Sequence, residues 1–158
     1  MVAKPRIAVG VISDTHGLLR PEAVAALHAS DLIIHAGDVG DPQILDRLRA
    51  IAPTFAVRGN VDTSAWAKAL PLTEVVEAGD LHIYVIHDLA DLDLDPRAAG
   101  FAAVVSGHTH RPRAEIRDDV LYLNPGSAGP RRFSLPIAVA RLEVAGTRIS
   151  HQIVELRA

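Results

Sequence analysis

The chain has 158 residues, 49% of them apolar, a formal net charge of -3 and no cysteine. That length suits one domain, 1–158, with enough apolar residues for a sizeable core. The charge argues against an extended nucleic-acid-binding surface, though not against a small nucleotide ligand, and the lack of cysteine excludes disulfides and thiolate metal sites. No apolar run approaches the roughly 18 residues of a membrane span. The stretch Met1-Val-Ala-Lys-Pro-Arg6 leads into a strand without a signal-peptide core. A cytoplasmic protein with no membrane partner is expected. The oligomeric state is not legible, although the C-terminal strands offer an edge for pairing.

Strand and helix patterns alternate at first. Ile7 to Ser13 reads as a buried strand, and Pro21 to Ala29 as a helix with Pro21 in its first turn and Glu22 suited to the helix dipole. Leu32 to Ala36 is a second strand. Pro42 to Ala50 is a second helix, with Asp41 as N-cap and Ile44, Leu45 and Leu48 as its apolar stripe. Thr54 to Val57 is a third strand. This opening implies a mostly parallel sheet with helices packed on it. The pattern then changes to hairpins. Leu72 to Glu77 and Leu81 to Ile86 flank Ala78-Gly-Asp80, and Leu89 to Ala99 reads as a short helix or a rim. Ala103 to Ser106 is a short strand. Ala114 to Arg117 and Val120 to Leu123 flank Asp118-Asp119; Ile137 to Val144 and Arg148 to Val154 flank Ala145-Gly-Thr147. Two packed sheets with helices outside satisfy both halves.

Seven side chains of metal-ligand type fall in five short motifs, most of them after a β-like apolar run. They are Asp14 and His16 in Ser-Asp-Thr-His, Asp38 in Ala-Gly-Asp, Asn60 in Arg-Gly-Asn, His87 in Val-Ile-His, and His108 with His110 in Gly-His-Thr-His. Polar groups at the ends of buried strands are poor core material, since burying them unpaired is costly. They suit a metal site, because strand ends are rigid and converge at one edge of a sheet. Two residues two apart at a strand end point to the same side, so Asp14 and His16 can reach one cation. Taken alone, each motif also reads as a turn, a cap or a structural histidine. Gly-His-Thr-His is the strongest local signal. Carboxylate, imidazole and amide together suit a pair of divalent cations, the usual tool for phosphate-ester chemistry.

The order Asp14-x-His16, Gly37-Asp38, Gly59-Asn60, His87, Gly107-His108-x-His110 resembles the signature of the calcineurin-like metallophosphoesterases. The length and the Asn124-Pro-Gly-Ser127 turn resemble the small YfcE-type phosphodiesterases. The resemblance runs from about Ile7 to Pro130. It implies an α/β fold, a four-layer αββα sandwich of two mixed sheets flanked by helices. It also implies two divalent metal ions, with Mn²⁺ the first expectation and Fe, Ni, Zn or Mg behind it. One metal takes Asp14, His16 and His110; the other takes Asn60, His87 and His108; Asp38 bridges them. The implied reaction is hydrolysis of a small phosphodiester, a nucleotide among the candidates, by a metal-bound hydroxide, with Asp38, Asn60 and His87 closest to the chemistry. Arg58 and Arg111 flank two motifs and are candidates for phosphate binding or for the surface.

Two departures bear on mechanism. Many relatives carry a histidine, the implied proton donor, after the asparagine; here that position is Val61, as in YfcE-type proteins. Relatives often carry glycine after the fourth motif's histidine; here it is Asp88, which can orient a ligand or narrow the pocket. Asp62 is expected to be structural. His35, near Asp38, is a candidate supporting residue, while His28, His82 and His151 are expected to be structural or exposed. Trp66 is expected to pack or to line the cleft. A phosphomonoesterase on the same site and a non-enzymatic scaffold like the retromer subunit of this fold are the competing functions.

Overall fold

The described residues form two five-stranded sheets, and six of their ten strands run parallel to a neighbour. A computed structural model describes residues 5–157. Residues 1–4 and 158, the outer limits of the expected domain and the start of the expected lead-in, lie outside them. The first sheet contains β1 (Arg6–Ile12), β2 (Leu32–His35), β3 (Thr54–Ala56), β9 (Ala138–Ala145) and β10 (Arg148–Glu155), in the order β10-β9-β1-β2-β3. The second contains β4 (Thr73–Ala78), β5 (Leu81–Ile86), β6 (Ala103–Val105), β7 (Arg113–Arg117) and β8 (Val120–Asn124), in the order β4-β5-β6-β8-β7. Both are mixed: β1, β2 and β3 are parallel in the first sheet, and β5, β6 and β8 in the second. The three expected hairpins supply the antiparallel pairs β4–β5, β7–β8 and β9–β10. Asp118 and Asp119 both take positive φ at the β7–β8 turn (50° and 63°), the backbone that lets a two-residue turn follow the strand twist.

Strand alternation divides the apolar side chains between two faces. Val9, Val11, Ile34, Leu142, Ile83, Val85, Val105 and Leu123 point between the sheets and form the central core. Ile12, Ile33 and Val139 point the other way and meet α1 (Pro21–Leu27) and α2 (Pro42–Arg49) through Ala23, Leu27, Ile44, Leu45 and Leu48. Pro21 and Pro42 open the two helices, and the Asp41 carboxylate caps α2 by accepting from the Gln43 N–H at 2.9 Å. Arg47 and Arg49 in its last turn complement the helix dipole. Trp66 packs against this helix-side cluster, the packing role.

The outer face of the second sheet is covered differently. Tyr84, Ile86, Val104 and Val120 are buried beneath Leu89, Leu92, Leu94 and Phe101. These come from a 3-10 turn, Leu89–Asp91, and the irregular chain after it. The expected short helix or rim is thus a single turn and a strap, and it forms the fourth layer. Among the described residues no helix is long and apolar enough to cross a membrane.

The consequence for function is directional. All six parallel strands leave their carboxyl ends into loops that carry the sequence motifs. β1 leads to Asp14, β2 to Asp38, β3 to Asn60, β5 to His87, β6 to His108, and β8 ends at Asn124. Ligands in α/β sheets bind beyond the carboxyl ends of strands, and here two sheets offer such ends to the same place.

Candidate metal centre

The loops bring all seven side chains together. Asp14, His16 and His110 have ligand atoms within 4.8 Å of one another, and so have Asp38, His87 and His108. In the first group Asp14 Oδ1 lies 3.4 Å from His110 Nε2 and 3.7 Å from His16 Nε2, and the two imidazole nitrogens are 3.3 Å apart. In the second, His87 Nε2 lies 3.1 Å from Asp38 Oδ2 and 3.0 Å from Asn60 Oδ1, and His108 Nδ1 is 3.2 Å from the same Asn60 oxygen. Asp38 Oδ2 is also 3.7 Å from His16 Nε2, so one oxygen faces both groups.

These spacings have a chemical meaning. Donor atoms about 2.1 Å from one cation stand about 3.0 Å apart in an octahedron and about 3.4 Å apart in a tetrahedron. The intragroup distances fall around those values. The proton accounting points the same way. The His87 Nδ1–H donates to the Ala36 carbonyl at 2.7 Å, which leaves Nε2 as a bare lone pair facing two oxygens. Lone pairs repel unless a proton or a cation lies between them. Asp14 is fully buried; its Oδ2 accepts from Ser13 Oγ (2.7 Å) and the His108 N–H (3.1 Å), while Oδ1 has no hydrogen-bond partner. An orphaned buried carboxylate oxygen is expensive, and here it points at two imidazole nitrogens. The residues therefore fit divalent cations.

The charge states agree. Burial pushes the Asp14 carboxyl up, but the neighbouring His110 and His16 imidazoles and the Ser13 hydroxyl outweigh it and hold the group well below the usual carboxylate range. Asp38 is also lowered: burial opposes, and His87 with the Val61 N–H (3.0 Å to Oδ1) prevails. For His87, burial alone would lower the pKa; Asp38 and the Ala36 carbonyl instead raise it above 6.5. Both carboxylates are anionic, and a positive charge is favoured where His87 meets them.

Backbone conformation marks the same residues. Asp14, His16, Asp38, His108 and His110 have φ of 55°, 46°, 57°, 72° and 64°. Left-handed backbone costs an L-residue about 1–2 kcal/mol. Among the described residues only eight non-glycines adopt it, and five of them are here. Strain concentrated this way is a signature of a functional site. The loops also meet very closely: a Cβ on Gly59 would stand 2.3 Å from the Asp38 nitrogen, and one on Gly107 2.6 Å from Asp14 Oδ2.

The chain matches the model of the calcineurin-like phosphoesterase superfamily domain over residues 7–147. The chain belongs to this superfamily. A protein of Methanocaldococcus jannaschii named a probable metallophosphoesterase is 42% identical over 132 residues, 75% of this chain and 67% of that protein. A phosphodiesterase of the same organism is 28% identical over 137 residues, 75% of this chain and 82% of its own length. The fold is shared with Vps29 of Chaetomium thermophilum, at a TM-score of 0.82, 22% identity and coverage of 96% of this chain and 89% of that one.

Around the candidate site, buried polar residues tie the loops to each other. Asp62 accepts from the Gly59 (2.9 Å), Val39 (3.2 Å) and Gly40 (3.2 Å) N–H groups, which makes it the structural clamp between the Asn60 and Asp38 loops. Asn124 Nδ2 donates to the Gly107 carbonyl (2.9 Å) and to Thr109 Oγ1 (3.1 Å), fixing the Gly-His-Thr-His loop. Ser127 Oγ donates to the Asp14 carbonyl at 2.9 Å. His35 is wholly buried. Its Nδ1 accepts from the Gly37 N–H (3.1 Å) and its Nε2–H donates to Thr15 Oγ1 (3.0 Å), which in turn donates to the Val39 carbonyl (2.8 Å). The chain of donors settles the neutral Nε2–H tautomer and locks the Asp14–His16 loop to the Asp38 loop.

Sequence reasoning passed over Ser13 and Thr15 as supports; the available signal was polar residues at the end of an otherwise apolar strand. Asp88 Oδ2 lies 3.6 Å from His108 Nε2, and its Oδ1 accepts from the Ala90 N–H at 3.0 Å. Arg58 stands beside Asn60 on the wall of a cleft, and Arg111 lines a neighbouring one with Gly107 and Asp88. Neither guanidinium makes an ion pair among the described residues.

Two predictions concern the apo protein. His108 is exposed and strained (φ 72°), so His108→Gly should be more stable than His108→Ala by about 1 kcal/mol in urea unfolding with chelator. Equal stabilities would show that the backbone stores no strain there. The second concerns pH. Burial holds the His35 pKa down at about 4, against 6.5 for an ordinary histidine. The unfolded chain thus binds a proton that the folded one refuses. The stability is complete above pH 6.5 and is lost as pH falls from 6.5 to 4, by roughly 3 kcal/mol in all. His35→Gln should flatten this slope in chelator-treated protein; an unchanged slope would contradict the assignment.

Proposed function

We propose that the chain is a metal-dependent phosphodiesterase with a dinuclear site. In this reading one divalent cation takes Asp14, His16 and His110, the other takes Asn60, His87 and His108, and Asp38 joins them. The observation that carries the proposal is Asp38 Oδ2, which stands 3.1 Å from His87 Nε2 and 3.7 Å from His16 Nε2, between the two groups. Two cations with two carboxylates leave net positive charge, which favours a phosphodiester anion. Bound Mn²⁺, or Fe, Ni, Zn or Mg in its place, would acidify a water, orient the phosphate and neutralise charge developing on it.

The chain's own residues divide the remaining work. Arg58 and Arg111, both without ion pairs among the described residues, line clefts beside the centre and bind phosphate oxygens in this reading. His87, held by its Nδ1–H on Ala36, keeps Nε2 directed at Asp38 and Asn60. No general acid stands next to Asn60, because Val61 can give no proton and Asp62 is consumed by three backbone N–H groups. The leaving oxygen must then depart largely unprotonated. The phosphodiesterase among the relatives supports the reaction class. The likeness to Vps29 is one of fold, and a scaffold is the second reading; turnover of a diester separates it from the enzyme.

With Mn²⁺, bis-p-nitrophenyl phosphate should be hydrolysed faster than the corresponding monoester, and Asp38→Asn should lower that rate by roughly 100-fold or more. Turnover that survives Asp38→Asn would remove catalysis from this centre. Without a general acid, rates should fall steeply with leaving-group pKa, the missing protonation being worth about 10²–10⁴-fold for poor leaving groups. Equal rates for aryl and alkyl esters would refute this. Metal occupancy should be complete above the His87 pKa, which lies above 6.5, and decline as protons take the imidazoles below it. Full occupancy at about pH 4.5 would contradict the ligand set.

A further inference from the structure

We propose that the cleft on the Asn60 side of the metal centre is a subsite for a cationic ester arm of the substrate, of the primary ammonium type. The inference rests on the phosphodiesterase reading above and names the class of diester it takes. The cleft, of about 350 Å³, has Arg58, Asn60, Tyr84, Asp88, Asp91 and Asp93 among its wall residues. That is room for one small ester substituent beside the phosphate.

Three observations point to an ammonium group. First, carboxylates outnumber cations on the wall. Arg58 neighbours Asn60, while Asp88, beside His87, and Asp91 and Asp93, from the strap over the second sheet, bring three carboxylates to the cleft. Arg58 forms no ion pair with any of the three, although all line one cleft. A ligand with an anionic phosphate and a cationic arm suits this lining; a second anionic group would face three carboxylates. Second, Tyr84 is only 7% exposed, lines this cleft, and its hydroxyl has no hydrogen-bond partner among the described residues. The hydroxyl itself is open to solvent, so it is available on the wall to accept from a ligand. Its ring is fixed by stacking on Phe101, with centroids 5.0 Å apart, so the position is rigid. Third, the acceptor count suits the ligand. An ammonium carries three N–H donors, and the wall offers the Asp91 and Asp93 carboxylates and the Tyr84 hydroxyl. No ligand was ascribed to Asp91, Asp93 or Tyr84 on sequence grounds.

The test uses three aryl diesters that release the same p-nitrophenolate and differ only in the other arm: 2-aminoethyl, ethyl and 2-carboxyethyl. With the Mn²⁺-loaded full chain at low salt, kcat/KM should fall in that order, by about tenfold or more from first to last. In the Asp91→Asn/Asp93→Asn variant the order should collapse to within about twofold. Equal rates for the three arms in the wild type, or an unchanged order in the variant, would overturn the subsite. Binding of ethanolammonium to the metal-free protein, read by ligand-observed NMR, gives a readout independent of turnover. It should be seen with the wild type, weaken in Tyr84→Phe and vanish in the double variant. Absence of any turnover with every divalent cation would sink the phosphodiesterase reading instead. The NMR measurement then decides the subsite alone, and no difference between wild type and variants would refute it.

Discussion

The structure depends on one electrostatic constraint: buried nitrogen and oxygen lone pairs are held face to face with nothing of their own to separate them. His87 Nε2 has Asp38 and Asn60 oxygens at 3.1 and 3.0 Å, and Asp14 Oδ1 is buried without a partner beside His16 and His110. In an ordinary core such an arrangement would relax or neutralise. Here it cannot relax, because each side chain hangs from the end of a strand embedded in a different part of the double sheet. Six parallel strands release their chain at one edge, and the loops are too short to retreat. A cation between the lone pairs would convert this repulsion into coordination.

The scaffold bears the cost of that arrangement. Five left-handed residues at about 1–2 kcal/mol each make the loops locally unfavourable. They persist because other groups over-determine them. Asp62 gathers three N–H groups from two loops, Asn124 grips the Gly-His-Thr-His loop, and His35 stitches the first and second loops together through Thr15. None of these three reaches the centre itself. Their side chains act by position alone, and all three are buried. Preorganisation of this kind is what lets a site bind ions without rearranging.

Much of this was legible in the residues, for reasons that differ by element. The parallel strands read clearly because both faces are covered, so Ile7 to Ile12 and Leu32 to Ile34 are almost continuously apolar. The hairpins read from their turn residues, and the seven motif residues from polar side chains placed where a core strand should continue. The supports were harder. Asp62 and His35 look like any loop acid or strand histidine until the loop partners are known, since Gly59 and Val39 lie far from each other in sequence. The 89–101 strap was ambiguous because its apolar residues, Leu89, Leu92, Leu94 and Phe101, are spaced irregularly and are held only by contact with the sheet beneath. The left-handed backbone left only a weak signal, because aspartate and histidine adopt it more often than most residues but still in a small minority of cases.

The central claim is that the seven side chains form two adjoining cation sites that share Asp38. Anomalous diffraction from crystals soaked in Mn²⁺ tests it most directly. The account predicts two peaks, one ringed by Asp14, His16 and His110 and one by Asn60, His87 and His108, with Asp38 between them. A single peak away from Asp38, or none in a well-ordered crystal, would contradict it.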